Sequence, residues 1–295
     1  MTLAGTLKQR YEEVQARVAT AAARVGRRPD QVILVAVTKN AGAEAVRELY
    51  ELGHRDFGES HVQQLVQRAA ILEEYLNRLR VVPQIRRDPA AGDHVLFPVS
   101  TAAAPAASIR EIRWHMIGHL QRNKAKKIVD LVRLIHSVDS LRLAEELQQV
   151  AIRKDQTIEV LVQVNCSGEE SKFGCPMPAA MPLCEQIESM MNLRVRGLMT
   201  MAAPAENPED ARSAFRRCRE LFEEVKKTGV GEGRFNLLSM GMSGDFEVAI
   251  AEGANIVRVG TAIFGEASRI EEFEEQPESE DAEDDNDDPT IRSED

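Results

Sequence analysis

Eight short apolar runs alternate with segments of helical spacing between residues 32 and 265. The first run is the most restrictive. Residues 32–37 read Val-Ile-Leu-Val-Ala-Val, bounded by Pro29-Asp30 before and Gly42 after. Six apolar residues in a row, mostly β-branched, have the length and composition of a strand buried on both faces, which is the habit of parallel sheets. Similar runs follow at 54–57, 112–118, 134–138, 158–164, 195–199, 235–240 and 255–259. Between them, residues 45–53, 60–79, 121–131, 141–150, 178–190, 208–228 and 245–252 carry the helical pattern. Ser60 is the expected N-cap of the second of these.

Eight strands alternating with helices over about 235 residues is the count for a (β/α)8 TIM-type barrel. An open dinucleotide-binding sheet is disfavoured, because the first run is followed by Thr38-Lys39-Asn40 and no G-x-G-x-x-G. A further amphipathic helix at 3–25, with Leu3, Leu7, Tyr11, Val14, Val18 and Val25 on one side, precedes the first strand. It is expected to pack outside the main body or to close one end of it. Between residues 80 and 110 four prolines and an alanine-rich run break every period, which marks an inserted loop with a minor strand at 94–99.

The charge of -11 belongs to one end of the chain. Residues 271–295 hold fourteen acidic side chains and one basic, so residues 1–270 carry +2. With Phe273 and Ile291 as its large apolar residues, that tail cannot bury enough surface to offset the entropy of ordering, and it is expected to be disordered. The reading is therefore one barrel domain, 1–270, and an acidic tail, 271–295. No basic stripe with interleaved aromatics stands out, so no nucleic-acid partner is expected. The one basic cluster, Arg122 to Lys127, reads as the solvated start of a helix.

Four cysteines, Cys166, Cys175, Cys184 and Cys218, are too few and too widely spaced for a disulfide scaffold or a structural zinc site. They read as reduced thiols of a cytoplasmic protein. No apolar run approaches the length of a membrane span, and no signal segment is evident.

Lys39 follows the first strand directly, at the end where a barrel places its chemistry, and a desolvated lysine there can form a Schiff base. The loops after the last two strands, Gly241-Met242-Ser243-Gly244 and Gly260-Thr261, are rich in glycine and hydroxyls. Barrels often bind phosphate at this place: glycine lets backbone N–H groups approach an anion, Ser243 or Thr261 can donate, and a helix N-terminus adds its dipole. Arg258 lies inside the last apolar strand and needs a buried partner. The candidates are a heteroaromatic nitrogen, as in pyridoxal phosphate sites, and a barrel carboxylate. His115 and His119 lack a carboxylate at ligand spacing and read as satisfied core residues, and no metal is expected.

In combination VAVTKN at 35–40, FGES at 57–60, WHMIGHLQRNK at 114–124, SKFG at 171–174, LSMGMSGDFEVAI at 238–250 and VRVGTAIFG at 257–265 resemble the pyridoxal-phosphate homeostasis proteins. That family is similar to the N-terminal barrel domain of alanine racemases. The resemblance implies pyridoxal 5'-phosphate as cofactor, Lys39 as its Schiff-base lysine, Arg258 at the pyridine nitrogen, and Ser243, Gly260 and Thr261 at the phosphate. It implies a monomeric cofactor carrier in vitamin B6 homeostasis, with apo-enzymes or amino acids as partners to test and no catalytic residue assigned. The rival is an amino-acid racemase or related enzyme of the same fold type. Against the rival stands the expectation that no second, β-rich domain follows the barrel. The family's second loop is usually Gly-Glu-Asn, and here it reads Gly58-Glu59-Ser60, which leaves Ser60 outside the binding set.

Overall fold

The computed structural model describes residues 5–81, 111–168, 173–203 and 205–265. The expected strand at 94–99 and the acidic tail at 271–295 lie outside these residues.

Nine strands occur in order among the described residues: β1 (Ile33–Val37), β2 (Asp56–Glu59), β3 (Arg113–Met116), β4 (Val132–Val138), β5 (Ile158–Asn165), β6 (Cys175–Pro176), β7 (Leu193–Met199), β8 (Leu237–Ser239) and β9 (Ile256–Val259). All pairings are parallel, and eight strands close on themselves in the order β1-β2-β3-β4-β5-β7-β8-β9. The ring is completed by β1 against β9, with Ile33 opposite Ile256 and Ala36 opposite Val259. This is the expected (β/α)8 barrel. The two-residue β6 pairs with the end of β5 outside the ring.

Alternation along each strand divides the core in two. Inside the barrel pack Val35, Leu134, Leu161, Met199 and Ile256. The residues between them, such as Ala36, Phe57, Ile135, Val160 and Val257, face the helices. Those helices are α1 (Leu7–Arg24), α2 (Ala43–Glu51), α3 (Val62–Val81), α4 (Leu141–Arg153), α5 (Met177–Glu188), α6 (Arg212–Lys227), α7 (Phe246–Ala251) and α8 (Thr261–Phe264). In α6 the buried face is Phe215, Cys218, Phe222 and Val225, as its spacing predicts, after a separate turn of 3-10 helix at Pro208–Ala211.

The extra helix α1 starts at a capping box, in which the Gln9 amide donates to Thr6 Oγ1 at 3.3 Å and the Thr6 amide donates to Gln9 Oε1 at 2.8 Å. It buries Leu7, Tyr11, Val14 and Val18. Each such side chain contributes about 1.5–3 kcal/mol of burial. The helix lies against α7 and α8, where Arg17 pairs with Glu247 at 2.7 Å and Arg10 Nε donates to the Ile263 carbonyl at 2.8 Å. It therefore belongs to the outer helix layer and does not close an end of the barrel.

Two expected elements differ. The segment after β3 is a 3-10 helix, Arg122–Lys127, and not an α-helix reaching 131. Its last 3-10 bond runs from the Ile128 amide to the Ala125 carbonyl, and β4 begins at Val132. Helix α3 begins at Val62, with the His61 carbonyl accepting its first bond from the Leu65 amide, so Ser60 lies ahead of the cap.

β7 carries one extra residue at Arg196, since Val160 is opposite Val195 and Leu161 is opposite Gly197. The irregularity is held in place: Arg196 pairs with Glu159 at 2.6 Å and donates to the Arg234 carbonyl at 3.0 Å. Gly197 follows it with φ +152°, and a Cβ there would sit 1.7 Å from the Leu237 carbonyl oxygen on β8. Gly197→Ala is expected to lower unfolding stability in urea by roughly 3 kcal/mol, because β7 and β8 must part. A loss below about 0.5 kcal/mol, the ordinary surface range, would contradict this account of the bulge.

Candidate functional site

A cavity of about 620 Å³ opens at the C-terminal ends of the barrel strands. All five residues singled out from the sequence, Lys39, Ser243, Arg258, Gly260 and Thr261, line it. They come from β1, β8 and β9, which are neighbours in the ring, so parallel pairing alone brings their loops together. Lys124, His61 and His119 also reach the wall, while no carboxylate does so among the described residues. Such a cavity favours an anionic occupant.

Lys39 is exposed, and the desolvated lysine expected from the sequence is not what the structure shows. It sits in the open mouth, where an incoming aldehyde can reach it. The turn that carries it is fixed from below by a buried carboxylate. Glu59, fully buried at the end of β2, accepts from Thr38 Oγ1 at 2.5 Å and pairs with Arg68 of α3 at 2.9 Å. Arg68 in turn donates to the Ala41 carbonyl at 2.6 Å. Burial pushes the Glu59 carboxyl up, and Arg68 and the Thr38 hydroxyl offset part of that shift.

At the other side of the mouth the amides of Gly260 and Ala262 converge on Ser243 Oγ, at 3.2 and 3.3 Å. An anion entering here meets the Ser243 hydroxyl as a donor and competes with Ser243 Oγ for the two N–H groups. Gly260 is tightly placed, since a Cβ on it would lie 3.2 Å from the Val37 carbonyl. Thr261 is exposed at the rim. The helices that begin here are short, α7 having six residues and α8 four, so the donors come from local amides more than from a long helix dipole.

Arg258 points into the lumen and is 3% exposed. Its Nη1 donates to Ser239 Oγ at 2.6 Å and its Nη2 to the Thr200 carbonyl at 3.0 Å. Among the described residues no carboxylate pairs with it, so the barrel-carboxylate alternative is not what the structure shows. Burial lowers its pKa to about 10, and the charge of Asp245 offsets part of that.

His115 is a buried core residue, as expected, whereas His119 is exposed at the mouth, and each lies beside a carboxylate. His115 Nε2 lies 3.2 Å from Asp56 Oδ1, and His119 Nδ1 lies 3.5 Å from Asp139 Oδ2. His119 also stacks on Phe173 across the mouth, with centroids 4.7 Å apart. Further wall residues missed in the sequence are Ser60, Gln163 and Lys124, the last from the cluster read as a solvated helix start. All four cysteines are buried free thiols. No helix among the described residues is long and apolar enough to cross a membrane.

Residues 10–268 match the family described as alanine racemase, N-terminal domain. The pyridoxal phosphate homeostasis protein of Aquifex aeolicus is 35% identical over 262 residues, which covers 88% of this chain and 97% of that protein. The chain belongs to that family. Two solved structures agree in fold and length with it. A protein of unknown function from Bifidobacterium adolescentis is 34% identical, with a TM-score of 0.74 over 88% of this chain and 94% of that one. PipY of Synechococcus elongatus, solved with pyridoxal phosphate bound, is 30% identical, with a TM-score of 0.63 over 84% of this chain and 100% of that one.

Proposed function

We propose that the protein is a pyridoxal 5'-phosphate carrier of the vitamin B6 homeostasis class, cytoplasmic and monomeric, that holds its cofactor covalently on Lys39. The observation that supports this best is one cavity, without a wall carboxylate among the described residues, shared by a strand-end lysine, an amide cradle and a buried arginine. Pyridoxal phosphate, when bound, supplies an aldehyde that an amine captures and a ring that withdraws electrons.

The residues present fit that group. Lys39 Nζ is the amine. The Gly260 and Ala262 amides and the Ser243 hydroxyl hold the phosphate, with Thr261 at its rim. Arg258 is a donor at every nitrogen, so it faces an unprotonated ring nitrogen and disfavours protonation there. That weakens the electron withdrawal on which carbanion chemistry depends, and so favours holding over turnover. The exposed mouth lets cofactor enter and leave, which suits exchange with apo-enzymes as partners.

The rival, an amino-acid racemase, needs a second acid-base group across the ring from Lys39. Among the described residues the wall offers no tyrosine, cysteine or carboxylate for this; its titratable side chains besides Lys39 and Arg258 are His61, Lys124 and His119, the last engaged by Asp139 and Phe173. The two readings separate when cofactor-loaded protein is incubated with L-amino acids in deuterated water. Transfer of cofactor to an apo-enzyme without α-proton exchange supports the carrier. Rapid exchange that depends on Lys39 establishes the enzyme instead.

A further inference from the structure

Below the cavity, five polar side chains form a continuous file through the barrel lumen. Arg258 Nη1 donates to Ser239 Oγ at 2.6 Å, Ser239 Oγ lies 3.0 Å from His136 Nδ1, His136 Nε2 lies 2.9 Å from His115 Nδ1, and His115 Nε2 lies 3.2 Å from Asp56 Oδ1. Asp56 is closed off by Arg113, with contacts of 2.7 and 2.5 Å. Ser239, His136, His115 and Arg258 are all at most 3% exposed. Four β-strands besides β9 contribute: β8, β4, β3 and β2.

The ends fix the direction of the two outer bonds. The guanidinium can only donate, so Ser239 Oγ accepts from it, and a carboxylate can only accept, so His115 donates to Asp56 through Nε2. The Asp56 carboxyl is held ionised: burial works to raise its pKa, but bonds from Arg113 and His115 prevail and hold it well below the usual range. If His115 accepts at Nδ1, His136 donates to it through Nε2 and takes the Ser239 hydroxyl proton at Nδ1. Every donor then has one acceptor and nothing in the file is left unpaired. Burial supports a neutral imidazole at His136, holding it well below its ordinary pKa, with the charge of Arg258 adding to the effect.

We propose that Ser239 and His136 are positioning residues for Arg258, acting through a one-way hydrogen-bond file, Arg258 to Ser239 to His136 to His115 to Asp56, that fixes which guanidinium N–H groups remain for the cavity. This rests on the cofactor reading of the cavity for its consequence and not for its geometry. With Nη1 committed to Ser239 and Nη2 to Thr200, the guanidinium plane cannot swing. A ligand atom facing it meets donors at a set angle.

Two measurements test this separately. Imidazole nitrogen NMR of the protein without cofactor is expected to show His115 and His136 both as Nε2–H tautomers. An Nδ1–H on His136 would reverse half the file and overturn it. Binding is then compared for pyridoxal phosphate and for its analogue with C–H in place of the ring nitrogen. Ser239→Ala and His136→Leu are expected to weaken pyridoxal phosphate by about tenfold, the scale of a hydrogen bond to a charged group, and the analogue by less than about twofold. His136→Asn, whose side-chain oxygen can replace Nδ1, is expected to restore most of the loss. Equal weakening of both ligands, or of neither, overturns the positioning role. Failure of wild-type protein to bind either ligand would remove the cofactor reading while the NMR result still decides the file.

Discussion

Lys39→Ala protein is expected to yield no borohydride-stable adduct with pyridoxal phosphate and no visible absorbance that borohydride removes. In the wild type, reduction should fix the cofactor to the peptide containing Lys39. The expectation follows from geometry. Among the lysines of the described residues Lys39 and Lys124 line the cavity, and Lys39 leaves the strand beside β9, whose loop carries the amide cradle. The loss should be complete in the covalent signal but partial in binding, since the cradle and Arg258 do not depend on Lys39. Folding stability should stay within about 0.5 kcal/mol, because the side chain is exposed. An adduct of undiminished yield in Lys39→Ala, mapped to Lys124, would transfer the role to the opposite wall.

The second large effect is acid sensitivity. His54 is buried between Tyr11 and Phe57, with Nδ1 3.1 Å from the Tyr11 hydroxyl and Nε2 2.7 Å from the Asp56 carbonyl. Burial lowers its pKa to about 4, although the Asp56 carbonyl and charge oppose this. The unfolded chain takes up the proton near 6.5, so between about pH 6.5 and 4 the unfolded state binds more protons and stability falls as pH falls. His54 alone contributes about 3 kcal/mol to that fall, and His136 acts in the same direction. Above pH 7 neither contributes a slope. Urea unfolding from pH 7.5 to 4 is the measurement. His54→Asn should be less stable than wild type at pH 7.5 yet lose about 3 kcal/mol less across the window. Parallel curves for the two proteins would show that His54 does not titrate with unfolding.

How much of this was open to the sequence differs by element. The eight ring strands were legible because parallel strands buried on both faces leave unbroken apolar runs, and Val32 to Val37 is the plainest of them. The segment 121–131 reads as an α-helix because Ala125, Ile128 and Val129 supply an apolar face, and local spacing does not separate that face from 3-10 turns that end at Lys127. At the site, Lys39, Ser243, Arg258, Gly260 and Thr261 were legible from their places at strand ends. The partners of His115 were not: Asp56 lies on β2 and His136 on β4, the strands on either side of β3, and register between strands is not written in local spacing. The alternation of Arg113 and His115 along β3 was the signal available, since both face the lumen with Asp56.

The pairing of β1 with β9 has a consequence for how the molecule is made. Ile33 waits for Ile256, and the apolar face of α1 waits for α7 and α8, so the first elements to leave a ribosome find their partners among the last. At about 5–20 residues per second the interval is about 10 to 45 s. Through that time the part of α1 that packs on α7 and α8 has no native surface to cover, which makes the nascent helix a natural client for a holding chaperone and places ring closure after β9 is synthesised.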